Sequence, residues 1–159
     1  MYQMVHLVLM AKVISHELEI AAPIERVWDL TLDIERWPEL TPTITSVERL
    51  EVGPLAVGSS ARLVQPRQSP RVWTVTDLQA PTRFAWSARL GRVTMTGRHD
   101  LVRIDDHTTV NRLSLELSGI GAGVVARFAG KQLLAVIATE NVGFKRAAES
   151  APQPGGATT

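Results

Sequence analysis

The 159-residue chain has no cysteine. Disulfide bonds, a thiol nucleophile and a cysteine-ligated zinc site are therefore excluded, and the composition fits a reducing, cytoplasmic setting. Histidine is nearly as scarce. His6, His16, His99 and His107 fall at no spacing that ligates a metal, so neither a metal nor a cofactor is expected. Aromatic residues are only 5% of the chain, yet four are tryptophans, whose indoles offer broad apolar walls and one N–H donor each. No Gly-x-Ser-x-Gly element is present, which argues against serine hydrolysis by that route.

Long uninterrupted hydrophobic runs are missing too. Met1–Met10 lacks a cationic leader region and a small-residue cleavage site, and its apolar part is too short to span a bilayer. The stretch from Leu117 to Ala138 is apolar but carries Arg127 and Lys131 in its middle, so it reads as an amphipathic helix and no membrane span is expected. Net charge is only +1 but unevenly spread. Residues 1–60 hold four basic and nine acidic side chains, whereas residues 61–112 hold nine arginines against four acids. No aromatic-plus-basic RNA-binding motif accompanies those arginines, so they read as solvated, outward-facing strand residues and no nucleic-acid partner is expected.

What is present is one domain's worth of globular composition, 45% apolar and 21% charged. Ile14, His16, Leu18 and Ile20 alternate with polar residues over Val13–Ala21, the pattern of a half-buried strand. Pro23 opens a short amphipathic helix through Thr31. Asp33 is placed to cap a second very short helix through Arg36, which Trp37-Pro38 should end. Six further strands are expected at Thr43–Glu51, Ser60–Arg67, Arg71–Gln79, Arg83–Leu90, Arg92–Ile104 and Thr108–Leu117, split by Gly and Pro turns. After Gly119–Gly123 the period becomes helical through about Ala148. Residues 1–12 read as an N-terminal extension, 13–149 as the domain and 150–159 as a flexible tail. The expected class is α+β: a curved seven-stranded antiparallel sheet wrapped around a long C-terminal helix, with two short helices after the first strand.

This order resembles the START-like, helix-grip (Bet v 1-like) superfamily, in its polyketide cyclase/dehydrase and lipid transport branch (SRPBCC). The resemblance rests on Ile20-Ala21-Ala22-Pro23-Ile24-Glu25-Arg26-Val27-Trp28, on Asp33-Ile34-Glu35-Arg36-Trp37-Pro38-Glu39 and on Gly143-Phe144-Lys145-Arg146-Ala147-Ala148-Glu149. The hairpin Gly58 to Pro66 with Val72-Trp73-Thr74-Val75-Thr76 adds to it. It implies a tunnel between sheet and C-terminal helix, gated near Trp37 and Gly119–Gly123, in a monomer or homodimer. It supplies no catalytic residue.

The residues themselves nominate a site. On a helical wheel Ala129, Leu133, Val136, Ile137, Phe144 and Ala147 share one face, opposite Arg127, Lys131, Lys145 and Glu149. Glu140 falls in the apolar set. Three placements satisfy it: an ion pair with Arg62, Arg98 or Arg112, a solvated rim position, or a polar anchor or general base inside a cavity. His99 shares a strand face with Val93, Met95, Gly97 and Leu101, which places it inside, either hydrogen-bonded in the core or moving a proton. His16 sits similarly on the first strand. Gln65, Trp73 and Trp86 lie on inward faces and serve equally as core or cavity wall, Trp28 packs under the first helix, and Trp37 stands as a wall at the entrance. The candidate ligand-contacting set is thus Trp37, Gln65, Trp73, Trp86, His99, Ile137, Glu140 and Phe144, with Glu140 and His99 catalytic if the protein is an enzyme. Gly119-Ile120-Gly121-Ala122-Gly123 lacks the Lys-Ser/Thr of a phosphate loop and reads as a turn.

Three functions fit this pattern. The first is non-covalent binding of a hydrophobic small molecule, such as a lipid, polyketide or aromatic metabolite. The second is a cyclase, aromatase or dehydratase acting on a carbonyl substrate through Glu140 or His99. The third is a stress-linked or toxin-like interaction module docking through the basic region Arg62–Arg112. A Glu140 carboxylate facing open space beside His99 would favour the second, and a Glu140 locked on an arginine would oppose it.

Overall fold

The alternation around Ile14–Ile20 does form an edge strand, β1 (Lys12–Ile20), whose inward side chains Ile14, His16 and Leu18 are half-buried and end in fully buried Ile20. Pro23, with φ of −59°, takes the N-cap of α1 (Ile24–Leu32). Ile24, Val27, Trp28 and Thr31 follow at helical spacing and are all buried, so one stripe of α1 is core. In this computed structural model, which describes residues 11–150, a 3₁₀ turn (Ile34–Arg36) and α2 (Trp37–Leu40) come next. Trp37-Pro38 therefore begins a helix where the sequence pointed to an end. Proline in a first turn loses no intrahelical hydrogen bond, so the helix tolerates it there. Asp33 makes no side-chain capping bond.

The remaining strands are β2 (Ser46–Arg49), β3 (Ser60–Val64), β4 (Arg71–Gln79), β5 (Arg83–Leu90), β6 (Val93–Asp105) and β7 (Thr108–Gly119), followed by α3 (Ala122–Ser150). β2 is shorter than the sequence suggested because Thr41–Thr45 are taken up in a polar crossing loop. The sheet order is β1-β7-β6-β5-β4-β3-β2, every pair antiparallel. Register shifts at Val75/Asp77 and Arg103/Asp105 mark irregularities that bend strands and increase twist. This is an α+β helix-grip architecture, with short helices after the first strand and one long C-terminal helix. The extension and tail expected at 1–12 and 150–159 lie outside the described residues, except that Lys12 belongs to β1 and Ser150 to α3.

α3 packs mainly on β1 and β7, at one side of the sheet. The fully buried Asn141 fixes it there: its amide donates to the Asn111 carbonyl at 3.0 Å, and the Asn111 amide donates to Asn141 Oδ1 at 3.0 Å. Lys145 donates to the Glu19 carbonyl (2.9 Å), and Glu149 accepts from the Ala21 backbone N–H (2.9 Å). These two therefore reach β1 along the solvent-exposed flank of α3, and neither lines the cavity between sheet and helix. The N-terminal half of α3 is also apolar on its outer face, where Val124 and Phe128 stand exposed. By length and composition α3 could cross a membrane, but its own Ile137, Phe144 and Ala148 are part of the domain core.

Gly143 lets α2 come close. A Cβ at Gly143 would stand 2.2 Å from the Leu40 carbonyl oxygen, so only glycine admits this approach. The contact carries the loop after α2 over the inner face of α3, which sets one side of the site.

Candidate functional site

Because α3 lies toward β1 and β7, the inner faces of β3 to β6 are not filled from above by the helix alone. A partly enclosed cavity of ≈110 Å³ remains between sheet and helix. Leu63, Trp73, Trp86, Met95 and Leu113 wall it from the sheet, and Leu133, Val136, Ile137 and Glu140 close it from α3. Exposed Gln68, on the β3–β4 turn, marks its mouth.

Of the eight ligand-contacting candidates, Trp37, Gln65, Trp73, Trp86, His99, Ile137 and Glu140 line this cavity. Phe144 does not; it packs behind, against the rings of Trp37 (5.7 Å) and His99 (5.3 Å). Trp37 is not at an entrance either. It is 3% exposed, its indole donates to the Leu30 carbonyl at 3.1 Å, and it stacks on His99 at 5.1 Å. Gly119–Gly123 lie away from the lining. His16 is half-buried and meets the Asn141 amide at 3.2 Å, outside the cavity. Gln65 donates weakly to the Thr43 carbonyl at 3.4 Å.

Gly97 is one residue whose importance the sequence left unassigned. A Cβ there would lie 3.2 Å from Trp86 Cδ1 and Nε1, so glycine lets the indole lie flat over the opposite strand. Its position in mid-strand, opposite Trp86, was the available signal.

His99, Trp73 and Glu140 are lining residues that could act on a ligand's charge. Burial pushes the His99 imidazole down to about 3, so it is neutral at physiological pH, and its Nδ1 has no partner among the described residues. Trp73 Nε1 is likewise a buried donor without a partner among the described residues. Glu140 is half-buried and carries no ion pair among the described residues. Arg98 instead pairs with Glu116 at 2.9 Å and Arg112 with Glu17 at 2.6 Å, both on the outer face, and Arg62 is exposed there. The one hydrogen bond recorded for the Glu140 carboxylate comes from the Thr43 hydroxyl at 3.0 Å. Burial raises its pKa to about 7, against the opposing pull of that hydroxyl. Thr43 was missed because nothing local distinguishes it from its neighbouring threonines. Among the described residues no cluster of three His, Asp or Glu could hold a metal ion.

A seven-stranded antiparallel sheet gripping a C-terminal helix over a small, mostly apolar cavity defines the START-like class of fold. The chain belongs to the family described as polyketide cyclase / dehydrase and lipid transport, which it matches over residues 11–149. Over 82 residues, half of this chain and 72% of the relative, it is 34% identical to a Streptomyces halstedii protein named "Putative polyketide cyclase". Among solved structures, a START superfamily protein from Mycobacterium smegmatis superposes with a TM-score of 0.67 at 18% identity, covering 85% of this chain and 97% of that one. The ZhuI aromatase/cyclase from Streptomyces sp. R1128 superposes at 0.64 with 23% identity, covering 87% and 92%. At these identities the structural likeness concerns the fold.

Proposed function

We propose that the protein is an acid–base enzyme of the cyclase, aromatase or dehydratase type, acting on an enolisable carbonyl compound in the cavity between sheet and α3. One observation carries this reading: Glu140 faces the cavity with the Thr43 hydroxyl as its partner and no cation among the described residues, and burial raises its pKa to about 7. A carboxyl poised there takes a proton at one step and returns it at another with little cost either way. Its relatives' printed names point the same way.

In the proposed chemistry the Glu140 carboxylate removes a proton from carbon α to a carbonyl. The resulting enolate attacks a second carbonyl carbon of the same molecule, and protonated Glu140 returns the proton to the new alkoxide. Removal of another α-proton and departure of the protonated hydroxyl as water complete the dehydration. Trp73 Nε1–H is the unengaged donor for the developing oxyanion. His99, kept neutral, takes or gives a hydrogen bond but carries no charge. The ≈110 Å³ space falls short of the ~150 Å³ that holds benzene, so it seats the reacting carbonyl end of a substrate and part of one ring. The rest of a longer substrate extends through the mouth at Gln68.

The second reading, non-covalent carriage of a hydrophobic molecule, draws on the apolar lining that α3 and the five sheet side chains share. One experiment separates the two. Acetophenone, a single ring with an enolisable methyl ketone, is incubated with the protein in deuterated water and followed by NMR. Protein-dependent deuteration of the methyl group, abolished in Glu140→Gln, is expected of the enzyme. Binding without exchange above the buffer rate rules the enzyme out and leaves the carrier.

A further inference from the structure

In an antiparallel sheet of this order, the start of β4 and β6 and the end of β3, β5 and β7 lie at the same edge. The loops at that edge, with the first turns of α3, carry Arg67, Arg71, Arg89, Arg92, Arg127 and Lys131. Residues 64–72, 88–94 and 117–134 contain no aspartate or glutamate. None of these six cations forms an ion pair within the described residues, whereas Arg83 and Arg103 at the opposite edge are paired with Asp100 and Glu25. Contacts tie the loops together: Gly119 lies so near Arg92 that a Cβ would stand 2.4 Å from its carbonyl oxygen, and Arg71 donates to the Arg89 carbonyl at 2.8 Å.

Among those cations stand apolar side chains turned to solvent. Leu90 is 41%, Ile120 60%, Val124 61% and Phe128 82% exposed. The Arg127 guanidinium lies 5.9 Å from the Phe128 ring centroid. A solvated strand face explains isolated arginines, but not four exposed apolar tips within an acid-free cationic zone.

We infer that this edge of the molecule docks on an anionic lipid bilayer, with Ile120, Val124 and Phe128 entering the headgroup boundary and the surrounding arginines and Lys131 meeting lipid phosphates. Protruding apolar tips ringed by cations match the boundary between acyl chains and charged headgroups. Gln68, which marks the cavity mouth, sits in the same β3–β4 turn as Arg67, just before Arg71, so docking brings that turn to the bilayer. The docking stands on the surface alone and holds whether the cavity catalyses or carries.

The test is co-sedimentation of the full chain with phosphatidylcholine vesicles, with and without about one-third phosphatidylglycerol, at low and high salt. Binding is expected only to the anionic vesicles, and it should weaken as salt screens the surface. Arg127→Glu/Lys131→Glu is expected to weaken it by about 25-fold, at roughly fivefold for each cation lost near the surface. Val124→Ser/Phe128→Ser should also weaken it, while Arg146→Glu, on the exposed far end of α3, changes it less than about twofold on the same scale. Far-ultraviolet circular dichroism confirms that each variant is folded. Failure to bind anionic vesicles, equal binding to neutral ones, or indifference to the paired charge reversal overturns the inference. Binding to an acidic protein in place of vesicles overturns it as well, and assigns the patch to a protein partner.

Discussion

Thr43 donates its hydroxyl to the Glu140 carboxylate at 3.0 Å across 97 residues of sequence. The Thr41 and Thr43 hydroxyls lie 2.9 Å apart, so Thr41 completes a chain in which each hydroxyl donates to the next acceptor. Such a bond favours the ionised carboxylate, while burial favours the neutral acid, and burial is the larger effect. Thr43→Val keeps the shape and removes the donor. It should raise the Glu140 pKa above its value of about 7 by about one pH unit, read from the carboxyl carbon by NMR. An unchanged or lowered value would show that the hydroxyl does not hold the charged form.

Glu140 also makes stability depend on pH in a defined direction. Its ordinary value is 4.5 and its folded value about 7. Below pH 4.5 both states hold the proton; between the two values only the folded state does; above 7 neither does. The unfolded state is thus favoured progressively as pH rises from 4.5 to 7, by about 3 kcal/mol in all. Glu140→Gln lacks this effect. The stability of the variant relative to the parent should therefore climb by about 3 kcal/mol between pH 4.5 and pH 8. His99 works in the opposite sense, losing stability as pH falls from 6.5 toward 3, but it is common to both proteins and cancels in the difference. Urea unfolding at the two pH values measures it, and a difference independent of pH removes the buried carboxyl from the argument.

Much of this could be read before any coordinates. The bounds of β4 and β5 follow from Pro70, Ala80-Pro81 and Gly91, because glycine and proline punctuate the chain locally. The inward faces of β5 and β6, with Trp86 and His99, follow from period two. Glu140 stood out because a carboxylate interrupts an apolar stripe. What the chain did not show were its long-range partners. Nothing near Thr43 announces Glu140, and the arginines that one of the three placements offered it lie outward instead, Arg98 pairing with Glu116 and Arg112 with Glu17. The helical wheel did not show that Lys145 and Glu149 also reach the edge strand β1, where backbone groups of Glu19 and Ala21 take their hydrogen bonds. Only the packing angle reveals that.

Two glycines of α3 separate close packing from helix propensity. Gly143 sits against the Leu40 carbonyl, and an added methyl group would meet that oxygen at 2.2 Å. Gly143→Ala must push α2 away, costing about 1–3 kcal/mol and dragging Thr43 from Glu140. Gly130 has nothing within 4 Å of where its Cβ would be. Gly130→Ala should therefore stabilise the protein by about 0.5–1 kcal/mol through helix propensity. Thermal unfolding of the two variants should move in opposite directions. A common direction would mean that α2 does not rest on α3 in solution.

Gly97 controls the width of the cavity rather than the stability of the fold. Its missing side chain leaves room for the Trp86 indole, which lies 5.3 Å from the Trp73 ring and 5.1 Å from that of Trp37. A methyl group at Gly97 would press on Trp86 Cδ1 and Nε1 at 3.2 Å, tighter than ordinary contact, and the Trp86 indole it presses on lines the cavity. Displacing an aromatic ring by a few tenths of an ångström into ≈110 Å³ removes a meaningful share of that space. Gly97→Ala is therefore expected to weaken acetophenone binding about tenfold, a loss of ~1.4 kcal/mol. The fold should lose no more than about 1 kcal/mol, because alanine suits a strand better than glycine does. Calorimetric titration and urea unfolding on the same preparation read the two quantities. Undiminished binding in a folded variant would place the ligand somewhere other than beside Trp86.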